Sequence, residues 1–269
     1  MMKRIFLPVI AAVALASCSD ISEDERFIPI DSVAPQRAVL LEEFTGQNCP
    51  NCPSAHKEIE TLLSQYGDAL IPVSIHAGDF GISCTARRPG LMQPEGDTFN
   101  NRYGIDEWPK GVVNGRGGAM NFDEWSDAIR AEAARETSLG MELSAEIAPG
   151  DPATISITGT LMPAADLAGR LYVWITEDHI IARQLDKELG TIADYEHNHV
   201  YRASATAVEG DAVSLRSHVH TTLDYTVEVR ATEKETWNTA NLSVVAFVRD
   251  PDGGVAQAAR VHVPPATAE

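Results

Sequence analysis

The sequence predicts an α/β segment over residues 36 to 137 followed by an all-β sandwich over residues 138 to 269. Three observations carry that prediction. Val39, Leu40 and Leu41 run in succession before a loop with two cysteines, as a strand buried on both faces does. Ala55, Ile59, Leu62, Leu63 and Tyr66 then recur at helical spacing, which gives one apolar stripe. From Leu139 onward that periodicity gives way to alternation, the pattern of half-buried strands. The 269 residues suffice for one large domain or two ordinary ones, and 44% apolar residues supply packed cores despite only 6% aromatics.

The first 17 residues read as an export signal. Lys3 and Arg4 precede a short apolar run, Ile5 to Ala16, which is too short for a spanning helix. Leu15-Ala16-Ser17-Cys18 resembles the bacterial lipobox, in which cleavage leaves the cysteine as a lipidated N-terminus. Acyl chains on Cys18 are then the expected attachment to the outer membrane. Residues 18 to 35 open with Ser19-Asp20-Ile21-Ser22-Glu23-Asp24-Glu25. This run suits a solvated tether, and it equally resembles the acidic signal that sends Bacteroidetes lipoproteins to the cell surface. Cleavage before Cys18 removes two positive charges and no negative one, so the formal net charge moves from -18 to -20. Such a chain is repelled by nucleic acid.

Four cysteines divide naturally. Cys18 is assigned to lipid, Cys49 and Cys52 form a CxxC pair, and Cys84 is left over as a buried spare thiol. The pair stands where the strand Ala38 to Phe44 gives way to a helix, so a small disulfide ring can close there. The positive end of the helix favours a thiolate at the first position. Outside the inner membrane, a close pair cycles or stays oxidised. A zinc site wants four N or S ligands, and CxxC with His56, His76 or Cys84 falls short of a recognisable set, so no metal is assigned. No cofactor motif is present.

Leu70 to His76 forms a second strand candidate, and a glycine-rich insertion from Ala77 to Gly96 follows. A short helix spans Asp97 to Tyr103, and Asn114-Gly115 after Val112-Val113 signals a hairpin. Asn121 caps a helix with Glu124 at the capping-box position, and Phe122, Trp125, Ile129 and Ala133 form its inner face. This order of strand, CxxC, helix, strand, helix, X-Pro, hairpin and helix resembles the thioredoxin-like fold over residues 36 to 137. The resemblance implies that Pro109 is a cis-proline facing the CxxC and that Trp108 lines a substrate groove. It also implies that Glu43 is a buried acid near the resolving cysteine, with a raised pKa, ready to take and return a proton. The tryptophan before the first cysteine and the Gly-Pro inside the motif, usual in thioredoxins, are replaced by Asn48 and Pro50-Asn51. Redox direction is therefore left open.

Beyond residue 138, alternation marks Leu143-Ala145-Ile147, Ile155-Ile157, Leu171-Val173-Ile175, Tyr225-Val227-Val229 and Val244-Ala246-Val248. Turns such as Pro149-Gly150-Asp151-Pro152 and Pro251-Asp252-Gly253-Gly254 separate strands. About seven strands at this spacing argue for an antiparallel sandwich of immunoglobulin-like shape, with a barrel as the alternative. His197 and His199 fall on one face if Tyr195 to Arg202 is a strand, and their expected role is structural.

Glu43-Phe44-Thr45-Gly46, Cys49 to Pro53, Ser74-Ile75-His76-Ala77-Gly78, Trp108-Pro109, Tyr172-Val173, Glu177-Asp178, and His197 to Val200 with Arg202 together resemble the 28-kDa outer-membrane lipoprotein family of Bacteroidetes. That resemblance implies a lipid-anchored protein of the outer membrane, facing the periplasm or the cell surface. The site chemistry points to thiol–disulfide exchange with the thiols or disulfides of exported proteins. Cys49 would attack, Cys52 would resolve, Glu43 would carry the proton and Pro109 would position the substrate. The competing reading is a non-enzymatic adhesion or ligand-binding lipoprotein in which Cys49–Cys52 is a structural disulfide.

Overall fold

A computed structural model describes residues 36–84, 90–151, 153–231 and 236–264. The export signal, the acidic tether and Cys18 lie outside the described residues. The first strand, β1 (Val39–Thr45), is buried at all seven positions. Helix α1 (Cys52–Tyr66) follows, with Pro53 in its first turn, where a missing N–H costs nothing. The chain returns as β2 (Leu70–His76), parallel to β1 from Val39↔Leu70 to Thr45↔His76. Helix α2 (Pro94–Arg102) leads to β3 (Lys110–Val113), antiparallel to β1. Asn114 and Gly115, with φ of 48° and 66°, turn β3 into β4 (Arg116–Met120). The Asn121–Glu124 capping box then admits α3 (Trp125–Ala133).

The rest of the described chain is strand: β5 (Leu139–Ile147), β6 (Thr154–Pro163), β7 (Leu167–Glu177), β8 (Ile180–Asp186), β9 (Gly190–His197), β10 (Val200–Ser204), β11 (Asp211–Leu215), β12 (Thr221–Glu228), β13 (Leu242–Arg249) and β14 (Val255–His262). The main sheet runs β14-β13-β7-β10-β2-β1-β3-β4, with β11 also paired to β7. It continues across residue 138, because β10 pairs β2 in parallel at Val200 and Ser74. A three-stranded sheet, β12-β6-β5, and the hairpin β8–β9 complete the β-structure.

Three large cores hold these layers among the described residues. Val39 and Leu41 on one face of β1 pack with Ala55, Ile59 and Leu62 of α1 and Trp125 and Ile129 of α3. Ile155, Ile157 and Leu161 of β6 pack on Val173 and Ile175 of β7 and Val244 and Ala246 of β13. On the opposite face of β7 and β13, the Tyr172 and Phe247 rings stack with centroids 4.8 Å apart, and Phe99 of α2 lies 4.8 Å from Trp174. Each such fully buried side chain contributes about 1.5–3 kcal/mol.

The expected seven-strand sandwich differs from what is seen. Ten strands fall between Leu139 and His262 among the described residues, and five of them belong to the main sheet. The reason is visible in β7 and β13. Residues 171–177 and 242–249 are buried without a break, so these strands need a layer on both faces. Reading only Leu171, Val173 and Ile175 as the inward set left out Tyr172 and Trp174, which fill the other core. Among the described residues no helix is long and apolar enough to cross a membrane.

Candidate functional site

The loop after β1 turns sharply into α1. The Cys49 N–H donates to the Gly46 carbonyl at 3.0 Å, and the Asn48 N–H donates to the Phe80 carbonyl at 3.0 Å. Gly46 permits that second contact, since a Cβ there would meet the Phe80 backbone at 2.4 Å. Cys49 and Cys52 are joined in a disulfide, and both residues are fully buried. The Trp108–Pro109 peptide is cis. Gly78, at φ +61°, lies so close under the Trp108 indole that a Cβ would fall 2.1 Å from the ring. Phe80 packs edge-on against the same indole, with centroids 5.5 Å apart. Pro50, Asn51, Trp108 and Pro109 line a groove of about 700 Å³, which Asp186 and Glu188 of the β8–β9 turn also line.

Strand β8 covers the cysteine loop as an added strand would. The Leu185 N–H donates to the Gln47 carbonyl at 2.8 Å, and the Lys187 N–H donates to the Pro50 carbonyl at 2.9 Å. Gln184, fully buried, donates from Nε2 to the carbonyls of Gly46 and Cys49 at 3.2 and 2.9 Å. The Arg183 guanidinium reaches Asn48 Oδ1 at 2.6 Å. These bonds satisfy loop carbonyls that burial would otherwise leave unpaired.

Alternation along β1 separates its two acids. Glu42 accepts from Tyr103 at 3.0 Å and pairs with Arg249. Glu43, fully buried, accepts a hydrogen bond from Ser74 Oγ at 2.6 Å and lies 3.2 Å from His56 Nε2. His56 Nε2 is also 3.1 Å from Thr45 Oγ1, and its Nδ1 is 2.8 Å from the Tyr195 hydroxyl of β9. The raised Glu43 pKa expected for a buried acid is overturned. Burial pushes this carboxyl up, but the charge of His56 and hydrogen bonds from His56, Ser74 and Thr45 hold it below the usual carboxylate range.

Two further histidines crowd the same place. The His197 ring lies 5.4 Å from that of His76 and 6.3 Å from that of His56. Burial and the neighbouring His197 and His56 push His76 well below its ordinary value, and burial with His56 pulls His197 down to about 3. Both are therefore neutral at physiological pH. His56, Tyr195, His76 and His197 line a cleft of about 40 Å³, enough for a few waters. Among the described residues no group of three or more His, Cys, Asp or Glu side chains is arranged to hold a metal ion.

The structure brings Cys49, Cys52, Trp108 and Pro109 to one end of the sheet, with Glu43 under α1. It does not place His197 and His199 on one strand face. β9 ends at His197, and His199 sits at φ 58° with its Nδ1 3.0 Å from Asp178. Cys84 is half-buried rather than buried. Sequence reasoning missed Gln184, gave Tyr195 no role and weighed His56 for function only as a metal ligand. The spacing of His56 four residues after Cys52, on one helix face, was the available signal.

A family model described as "Outer membrane protein Omp28" matches residues 96–266. The cysteine pair lies before the matched segment. No curated protein matches. Among solved structures, HBP35 of Porphyromonas gingivalis is similar with a TM-score of 0.64 and 16% identity, over 88% of this chain and 79% of that one. A protein of Agrobacterium tumefaciens is similar with a TM-score of 0.50 and 13% identity, over 88% and 97%. A domain of the outer membrane lipoprotein Omp28 from Porphyromonas gingivalis aligns with a TM-score of 0.36 and 20% identity, over 48% and 90%. At these identities the likeness to the first two concerns fold alone.

Proposed function

The chain belongs to the Omp28 family of outer membrane proteins, and on that premise we propose that it is a lipid-anchored thiol–disulfide oxidoreductase of the outer membrane, held there through Cys18. Its first segment, residues 36 to 137, is read as a thioredoxin-like unit, and the strands after residue 138 as a β-rich partner that continues its sheet. The observation that carries the reading is the Cys49–Cys52 disulfide at the start of α1, beside a groove lined by Pro50, Trp108 and cis-Pro109, with the Glu43–His56 pair under the same helix. The groove suits an extended segment of an exported protein, whose thiol would meet Cys49 once β8 lifts. Cys52 is the resolving thiol and Pro109 positions the incoming chain.

A second reading is favoured by one observation. Both cysteines are fully buried and Gln184 clamps their loop, as suits a static bridge in a scaffold whose function is adhesion or ligand binding. A redox titration of the full chain separates the two. A cycling pair equilibrates well above about -300 mV, whereas a static bridge lies below it. Disulfide exchange on a scrambled protein is expected to vanish in Cys49→Ser, and its persistence would overturn the oxidoreductase reading.

A further inference from the structure

Burial pushes the Glu43 carboxyl up, but His56, Ser74 and Thr45 hold it below the usual carboxylate range, as suits an acid that orients its histidine. His56 stands one turn beyond Cys52 on the same face of α1, where Cβ atoms are about 5–6 Å apart, and helical side chains lean toward the N-terminus. Its two ring nitrogens have opposite outlooks. Nε2 faces the fully buried Glu43, at 3.2 Å, and Nδ1 faces the Tyr195 hydroxyl, at 2.8 Å, beside the cleft.

We propose that His56, oriented by Glu43, holds the proton that Cys52 gains and loses, and that the proton exchanges with solvent past Tyr195 through the cleft. This rests on the oxidoreductase reading. In the direction set by the oxidised pair, a thiolate of a substrate dithiol attacks Cys49 Sγ, forming a mixed disulfide. The Cys49–Cys52 bond breaks and its electron pair moves to Cys52 Sγ, which takes the proton from the Glu43–His56 pair. The second substrate thiolate then attacks the substrate sulfur of the mixed disulfide and releases the Cys49 thiolate. The substrate dithiol has lost two electrons to the pair, and water in the cleft restores the proton to His56.

The groups facing His56 are Glu43 and Thr45 from β1, His76 from β2, Tyr195 and His197 from β9, and Glu60 along its own helix. His76 is pushed well below its ordinary value and His197 is pulled down to about 3, both first by burial, so neither competes for the proton near neutral pH. Tyr195 is pushed up by burial and by Glu43, Glu60 and Asp186, so its hydroxyl stays intact and relays rather than ionises. The carboxylate–imidazole arrangement is that of a general acid–base fixed by an orienting acid.

The test uses the full chain with dithiothreitol as the dithiol probe, measuring the rate of Cys49–Cys52 reduction against pH after correction for the probe's own ionisation. His56→Gln is expected to flatten the profile and slow reduction roughly a hundredfold at its optimum. Tyr195→Phe, which keeps the ring, shifts it in the same direction by less. Should His56→Gln misfold, nitrogen NMR of the labelled wild-type histidines decides: the pH dependence of the His56 signals must differ between the oxidised and the reduced pair. A wild-type profile in His56→Gln, or a His56 signal indifferent to reduction, overturns the proposal while leaving the oxidoreductase reading intact. A wild-type pair that never reduces overturns both.

Discussion

His197 illustrates how far a side chain's chemistry depends on what surrounds it. Its ring lies between His56 and His76 and beside the carbonyls of Ala182 and Arg183, with Glu43 beyond, and its pKa is pulled down to about 3. In the unfolded chain it titrates near 6.5. Between those values the unfolded chain binds a proton that the folded chain refuses. The stability it confers is therefore complete above about pH 6.5 and is lost as the pH falls toward about 3, on the order of 5 kcal/mol from this residue. Urea midpoints measured from pH 7 to pH 4 are expected to fall less steeply in His197→Phe than in the wild type. Equal slopes would show that the acid sensitivity arises elsewhere. The spacing of His197 and His199 invited a shared face, but the chain bends at His199, where φ is 58°, and no local pattern announces where a strand stops when its partners come from other segments.

The same limit applies to whole elements. β1, α1, β2 and the Asn114-Gly115 turn were legible because their apolar runs, helical stripe and turn dipeptide are local facts. The β8–β9 hairpin was not. Its inner residues, Ala182 and Gln184, are small or polar, while Ile181 and Leu189 are 57% and 75% exposed, which reverses the usual alternation. What holds it is backbone pairing to a loop more than 130 residues earlier, including Leu185 to Gln47. Gln184→Ala removes the donor to the Gly46 and Cys49 carbonyls. At about 1 kcal/mol for each lost buried bond, the lifted state becomes roughly tenfold or more populated. Reduction by a phosphine, followed as alkylated mass, is expected to accelerate by about that factor. An unchanged rate would show that the hairpin is not the barrier to the disulfide.

Across the whole molecule, charge pairs tie the first segment to the last strands. Arg249 at the end of β13 pairs with Glu42 in β1 and lies over the Tyr172 and Phe247 rings. Arg37, just before β1, pairs with Glu132 at 2.9 Å and donates to the Val255 and Ala256 carbonyls. Arg249→Met leaves the Glu42 carboxylate buried with the Tyr103 hydroxyl donating to it at 3.0 Å and no cation beside it among the described residues, which costs about 3–5 kcal/mol. Replacing Glu42 as well, by Leu, is expected to recover most of that loss. Urea unfolding followed by tryptophan fluorescence measures both, since Trp108 and Trp125 report on one end of the main sheet and Trp174 on the other. No reading of the sequence paired Glu42 with a residue 207 positions away, because ion pairs of that range leave no periodic trace.

The placement of β8 and β9 between β7 and β10 has a further meaning. Glu177, where β7 ends, and Val200, where β10 begins, are register partners in adjacent antiparallel strands, so the chain departs from the sheet and rejoins it about 5 Å away. Residues 178–199 are in that sense an excursion with touching ends. Nothing in the connectivity of the other strands depends on its length. Access to the Cys49–Cys52 pair can therefore be tuned by lengthening or shortening one arm, while the sheet from which the cysteine loop springs stays as it is.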